Sequence, residues 1–149
     1  MEGGTVSDRQ LIVVQPHDLR DVWPAIREEM LSMAPADGVI PEEVYMACAQ
    51  GNAALCLLHV GGKRVGWMVL RHLTRDFHIW LLWAQNGYDV MAVFRTDLMA
   101  MARAAGANAL TFGSSRRGWE RVAGFHGFKV RSTVYECSVD DLTPEIAAT

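Results

Sequence analysis

The chain has 149 residues, enough for one domain with a sizeable core, and half of them are apolar while 21% are charged. A net charge of −3 and a pI near 5.9 give no general attraction to nucleic acid or anionic membrane, and no apolar run approaches the ~20 residues that cross a bilayer. The cysteines Cys48, Cys56 and Cys137 form no Cys-x-x-Cys pair, which argues against a disulfide framework or a zinc site and predicts buried, reduced thiols.

Residues 1–10 are polar and Gly-containing and read as a loose lead-in. Met1-Glu2-Gly3-Gly4-Thr5 lacks the basic and apolar regions of a signal peptide, so a cytoplasmic location is expected. Leu11-Ile12-Val13-Val14 is a short β-branched run, the first strand. Asp18 is placed to cap a helix over residues 18–34, in which Leu19, Val22, Trp23, Ile26, Met30 and Met33 recur every three or four positions. Pro24 falls in its first two turns, where a missing N–H costs least. Residues 34–38 read as a loop. Pro41 then opens a short second helix, with Glu42 and Glu43 at its positive end and Gly51 past its close.

The period then changes. Residues 54–60 and 64–73 are β-rich runs joined at Gly61-Gly62, a strong hairpin signal. Residues 77–84 are apolar at nearly every position, as a central strand covered on both faces would be. Helical spacing returns at Val90, Val93, Phe94, Leu98, Met101 and Ala105, ending at Gly106. Ala109–Phe112 is a short strand, and Ser114 or Ser115 is placed to cap a helix carrying Trp119 and Val122. Gly127 leads into a last alternating strand through Val139, and residues 140–149 form an acidic tail.

The result is a single α/β domain over residues 11–139, with a mixed, twisted sheet of about six strands and helices on both faces. Residues 77–84 should be central and parallel to Ala109–Phe112 through a right-handed crossover. Trp23, Ile26, Ile79, Leu81, Phe94, Leu98 and Phe112 should be buried.

This element order resembles the GNAT superfamily of N-acetyltransferases over residues 11–139. The most specific match is Trp119-Glu120-Arg121-Val122-Ala123-Gly124-Phe125-His126-Gly127-Phe128, which resembles the family's short helix followed by a Gly-Phe entering a strand. Met101-Ala102-Arg103-Ala104-Ala105-Gly106-Ala107 resembles the end of its cofactor helix. Val22-Trp23-Pro24 and Arg117-Gly118-Trp119 look like short GNAT-like proteins encoded by tailed phages.

The resemblance implies an acyl-CoA site at the turn before the cofactor helix, where the family carries Q/R-x-x-G-x-G/A. There, small residues let backbone N–H groups approach the CoA pyrophosphate at a helix N-terminus. Counting back from Gly106 puts this turn at Asn86-Gly87-Tyr88-Asp89-Val90-Met91, so the implied cofactor-binding residues are Trp83, Gln85, Asn86, Gly87, Tyr88, Asp89 and Met91. Asp89 and Met91 stand where the family has small residues, so the loop looks degenerate: a carboxylate repels a pyrophosphate, and a Met side chain would block close approach. Asp89 also suits an N-cap for the helix beginning at Val90. The family's thiolate-protonating Tyr is replaced by Ala123.

His72, His78 and Glu120 are candidates for a general base, although a histidine on an apolar strand more often serves packing. No metal is expected. Arg116, Arg117 and Arg121, with Lys129 and Arg131, make the densest basic cluster. Residues 1–50 hold three Arg and nine acids, a net −6, which leaves eleven bases and eight acids, a net +3, for residues 51–149. Solvated surface explains such a cluster, as does a seat for a CoA phosphate or a contact with an acidic partner.

Two functions are therefore expected. The first is a non-catalytic binding or assembly protein, a phage virion component that uses Arg116, Arg117 and Arg121 toward another copy or another phage particle protein. The second is an acetyl-CoA-dependent N-acetyltransferase acting on a small amine or a protein N-terminus. Neither involves nucleic acid or a membrane.

Overall fold

The computed structural model describes residues 8–86, 88–113, 124 and 126–139, without the side chains of residues 34–37. Two compact units are present, Met1–Ser115 and Arg116–Thr149. In the first unit, β1 (Arg9–Val13) leads through a 3-10 turn at Pro16–Asp18 into α1 (Leu19–Asp37) and α2 (Pro41–Ala49). The antiparallel run β2 (Ala54–Val60), β3 (Lys63–Leu73) and β4 (Asp76–Ala84) follows, and α3 (Val90–Ala104) crosses over to β5 (Ala109–Phe112). The five strands lie in the order β1-β2-β3-β4-β5, with only the β4–β5 pair parallel.

Local chemistry accounts for the joints. Gly61 and Gly62 take φ of 61° and 77°, the two left-handed positions that a tight hairpin between right-twisted strands requires. Gly106, at φ 74°, ends the helical run of α3 as its place in the sequence predicts. The β3–β4 turn has no glycine, and Thr74 carries the positive φ of 36° there.

Strand alternation divides the core in two. Leu55, Trp67, Val69 and Leu81 share one face of the sheet and pack with Leu19, Ile26 and Met30 of α1 and Val44 and Cys48 of α2. Residues of the opposite parity, Cys56, Leu58, Met68 and Leu70, are buried on the other face. There α3 lies beside β1, β4 and β5 and buries Val90, Met91, Phe94, Leu98 and Ala102. The helices thus cover opposite faces, as the periodicity implies.

Several expectations need correction. The middle strand is β3, which is buried without a break from Val65 to Leu70, and β4 lies one place from the edge. Asp18 does not cap α1; it closes the 3-10 turn, its N–H donating to the Gln15 carbonyl at 2.9 Å. The helix runs on to Asp37, past the expected loop. Trp23 is only half-buried, packed edge-on against Tyr45 with centroids 5.1 Å apart, and Phe112 on the edge strand is also half-buried. Ile26, Ile79, Leu81, Phe94 and Leu98 are buried as expected.

In the second unit, residues 128–138 form no strand, although a last strand was expected there. Val134 and Tyr135 are each 89% exposed, and Cys137 is exposed rather than buried. Alternation marks a capacity for pairing, and a strand exists only where a neighbouring edge accepts its hydrogen bonds. The helix expected at Trp119 and Val122 and the tail at 140–149 lie outside the described residues.

Glycine is required at one point inside the sheet. Gly66 pairs with Ala84, and a Cβ on it would run into the Trp83 carbonyl oxygen and lie 3.2 Å from the Ala84 Cα. Backbone cannot rotate away as a side chain can, so Gly66→Ala should cost about 1–3 kcal/mol in urea unfolding. Gly113→Ala, which meets nothing within 4 Å, should stay within about 0.5 kcal/mol of the parent.

Candidate functional site

The parallel strands β4 and β5 pair only from Asp76 to Ile79 against Ala109–Phe112, after which β4 continues to Ala84 paired with β3. Among the described residues no strand lies beside the last five residues of β4 on its β5 side. That fork opens toward the turn before α3, the place the family resemblance assigns to an acyl-CoA.

A register shift shapes the fork. Val69 pairs with Leu81, but the next residue, Leu70, pairs with Ile79, so Trp80 has no partner on β3. Trp80 packs against the same apolar cluster as Leu81, and the extra residue reverses the parity of β4. Beyond the bulge, Arg71 pairs with His78 and His78 with Thr111, one row across three strands on the α1 face.

The turn is held at both ends. The Gln85 N–H donates to the Val65 carbonyl at 2.8 Å, and the Tyr88 N–H donates to the Gln85 carbonyl at 3.2 Å. Asp89 caps α3: its Oδ1 accepts the Ala92 N–H at 3.1 Å while its carbonyl accepts the Val93 N–H at 3.2 Å. Gln85, Asn86 and Tyr88 are exposed beside it. Gly87 lies outside the described residues, as do Arg116, Arg117, Arg121, Ala123 and Glu120.

Trp83 and Met91 also make contacts within the fold. Trp83 stacks on Trp67, centroids 6.5 Å apart and planes 12° apart, with the Arg64 guanidinium 5.8 Å from its ring centre. Met91 is 3% exposed, so its side chain belongs to the core under α3 and does not stand in the turn. The steric obstruction expected of Met91 is therefore absent, and Asp89 alone opposes a phosphate. At this helix terminus the Asp89 carboxylate occupies the Ala92 N–H, one of the groups an anion would use.

Of the base candidates, His72 is exposed and pairs with Phe77, one step out of phase with the polar row. His78 is half-buried, with Nδ1 2.8 Å from Thr111 Oγ1. Burial pushes its pKa below the ordinary 6.5, the Arg71 guanidinium pushes it further down, and Asp76 opposes both. The two buried thiols are poor nucleophiles: burial raises Cys48 to about 11 and, together with the nearby Cys48 sulfur, Cys56 to about 12. Among the described residues no three His, Cys, Asp or Glu side chains converge as metal ligands.

Sequence reasoning missed the anchor that ties α1 to the sheet. Glu29 accepts both Arg64 Nη1 and Nη2, at 2.8 and 2.9 Å, and Trp67 Nε1 at 3.0 Å. Three donors converge on one carboxylate that is only 22% exposed. A Glu on an otherwise exposed stretch of helix gives no sign of this.

Two measurements check these assignments. Glu29→Ala strands a buried indole N–H and a half-buried guanidinium, so it should cost about 2–3 kcal/mol in urea unfolding, while Glu29→Gln, which keeps one acceptor, should cost less. In an NMR titration His78 should ionise below 6.5, and Arg71→Gln should raise its pKa toward that value. The sign follows from linkage: the folded state binds this proton more weakly than the open chain. His78 therefore supports folding above about pH 6.5 and withdraws that support as pH falls toward its folded pKa.

No protein-family model matches the chain, and no curated protein matches it in sequence. Solved structures do match in shape. A ribosomal-protein-alanine N-acetyltransferase from Brucella melitensis biovar Abortus 2308 superposes with a TM-score of 0.61 at 13% identity, over 88% of this chain and 97% of the other. An aminoglycoside acetyltransferase from an uncultured soil metagenomic sample, in complex with sisomicin, gives 0.63 at 12% identity over 89% and 97%. An aminoglycoside N-acetyltransferase in complex with CoA gives 0.59 at 9% identity over 87% and 95%. At these identities the likeness speaks for architecture and not for activity, and the chain has the fold of the GNAT-type N-acetyltransferases.

Proposed function

We propose that this chain is a binding or assembly domain built on the acetyltransferase fold, with its acyl-CoA diphosphate site disabled. The observation that carries the reading is the Asp89 cap, whose carboxylate accepts the Ala92 N–H at 3.1 Å. A helix N-terminus attracts an anion through its free N–H groups and its dipole. Asp89 supplies that anion from within the chain. A pyrophosphate brought beside it meets like-charge repulsion of about 1–4 kcal/mol per charge pair at contact distance. The partner in this reading is a second copy or a protein of a phage particle, met through Arg116, Arg117 and Arg121. The opposed net charges of the first third and the rest of the chain support a contact between unlike surfaces.

The alternative, acetyl transfer to an amine, draws on one observation: burial and the Arg71 charge push the His78 pKa down, favouring the neutral form that accepts a proton, and among the described residues the far end of its strand has no neighbour on the β5 side.

Calorimetric titration with acetyl-CoA separates the two. The wild type should show no binding in the micromolar range, and Asp89→Asn, which keeps a capping oxygen but removes the charge, should bind about tenfold or more tightly than wild type. Met91 is left alone, because truncating a buried methionine costs about 2–5 kcal/mol and would confuse folding with binding. Micromolar binding by the wild type would overturn the disabled-site reading and favour the enzyme. A chain that sediments as a monomer at every salt concentration and retains no partner would overturn the assembly half.

A further inference from the structure

The arginines of the first unit differ in what they hold. Arg9 pairs with Asp97 at 2.8 Å, Arg27 with Glu42 at 3.0 Å and Arg64 with Glu29 at 2.8 Å. Arg71, half-buried on β3, forms no ion pair among the described residues. Its guanidinium lies over the Trp80 ring instead, 4.5 Å from the centroid. Stacking uses the flat face of a guanidinium and leaves its N–H groups directed outward in the plane, in the fork that matches a carboxylate.

The neighbours of Arg71 suit the same ligand. The register sets Arg71, His78 and Thr111 side by side across β3, β4 and β5, with cross-strand side chains about 5 Å apart. Thr111 Oγ1 lies 2.8 Å from His78 Nδ1. When the hydroxyl donates there, the imidazole proton sits on Nε2 and makes a second donor on this face. Asp76 stands two residues before His78 on β4, so Arg71 and Asp76 together bring no net charge. That balance suits a monoanion better than a phosphate dianion. We propose that Arg71, backed by Trp80 and flanked by His78 and Thr111, is a binding site for a carboxylate, supplied by a small organic acid or by the acidic side chain of a peptide.

The site does not involve Asp89, so its failure would leave the disabled-CoA reading untouched. Among the described residues the groups facing His78 are Arg71 from β3, Asp76 from β4 and Thr111 from β5, which makes its imidazole the reporter. The full chain is titrated at fixed ionic strength with sodium acetate, with acetamide as the uncharged match, and with a blocked tripeptide carrying one Asp or one Asn. Acetate or the Asp peptide should move the His78 imidazole resonances to saturation and raise its pKa, because a bound carboxylate offsets the Arg71 charge. Acetamide and the Asn peptide should not. Tighter binding of acetate marks a small acid as the source, and about tenfold tighter binding of the Asp peptide marks a peptide. Arg71→Lys keeps the charge but loses the fork and the stack, so affinity should fall at least about tenfold. The proposal is overturned if no carboxylate gives a saturable shift in the wild type, if acetamide matches acetate, or if a folded Arg71→Lys protein binds unchanged. The first two comparisons need no variant, so they decide the matter even if Arg71→Lys fails to fold.

Discussion

The pairing of β3 with β4 decides what each face of this sheet carries. At one end Gly66 lets the two backbones close against Trp83 and Ala84. In the middle the unpartnered Trp80 shifts the register by one residue. Because side chains alternate with a period of two, one extra residue exchanges the faces of everything beyond it. Without the shift, Ile79 would fall on the α1 face and His78 on the α3 face, against Phe94 and Leu98. With it, Ile79 joins the α3 core and the polar row of Arg71, His78 and Thr111 lies on the α1 face. The bulge thus keeps His78 out of an apolar core and brings it into one row with Arg71 and Thr111.

The same register locates the anchor between helix and sheet. Arg64 and Trp67 reach Glu29 because β3 presents them at the end where α1 crosses, and Trp83 stacks on Trp67 from the paired strand. An ion pair of this exposure is worth little by itself. What gives it weight is the indole N–H that shares the carboxylate, since a buried donor left unmade costs more than a made bond gains. Trp83 thereby becomes part of the same anchor.

The parts of the fold that depend on local chemistry were legible in the sequence. Gly61-Gly62 and Gly106 mark positive φ, and the apolar stripes of α1 and α3 follow a helical period. The order of strands was less so. Residues 77–84 are apolar nearly throughout, which suggests a middle strand, yet part of that apolarity comes from Trp80 and Leu81 turning to the same side. Residues 127–139 alternate as a strand would, and alternation says nothing about which edge is open to receive them. In the candidate site, the Asp89 cap could be read because capping is local to one turn. The burial of Met91 could not, since the first-turn side chains of a helix divide between solvent and core by its rotation about its own axis. The Arg71 row needs three strands and a bulge in register at once, and no spacing along the chain encodes it.

Asp89 shows how stability and cofactor binding compete for the same atoms. The N-terminus of α3 has a few N–H groups that the helix cannot satisfy itself, and a cap on one of them stabilises the helix by about 1 kcal/mol. An enzyme that places a cofactor phosphate there must forgo the cap and leave the terminus open until the ligand arrives, and small residues serve that purpose. A chain with no such ligand is free to close the terminus with a carboxylate and keep the stabilisation at all times. The side chain at position 89 therefore reports which demand this helix end answers. Its hydrogen bond to Ala92 satisfies one of those N–H groups from within the chain.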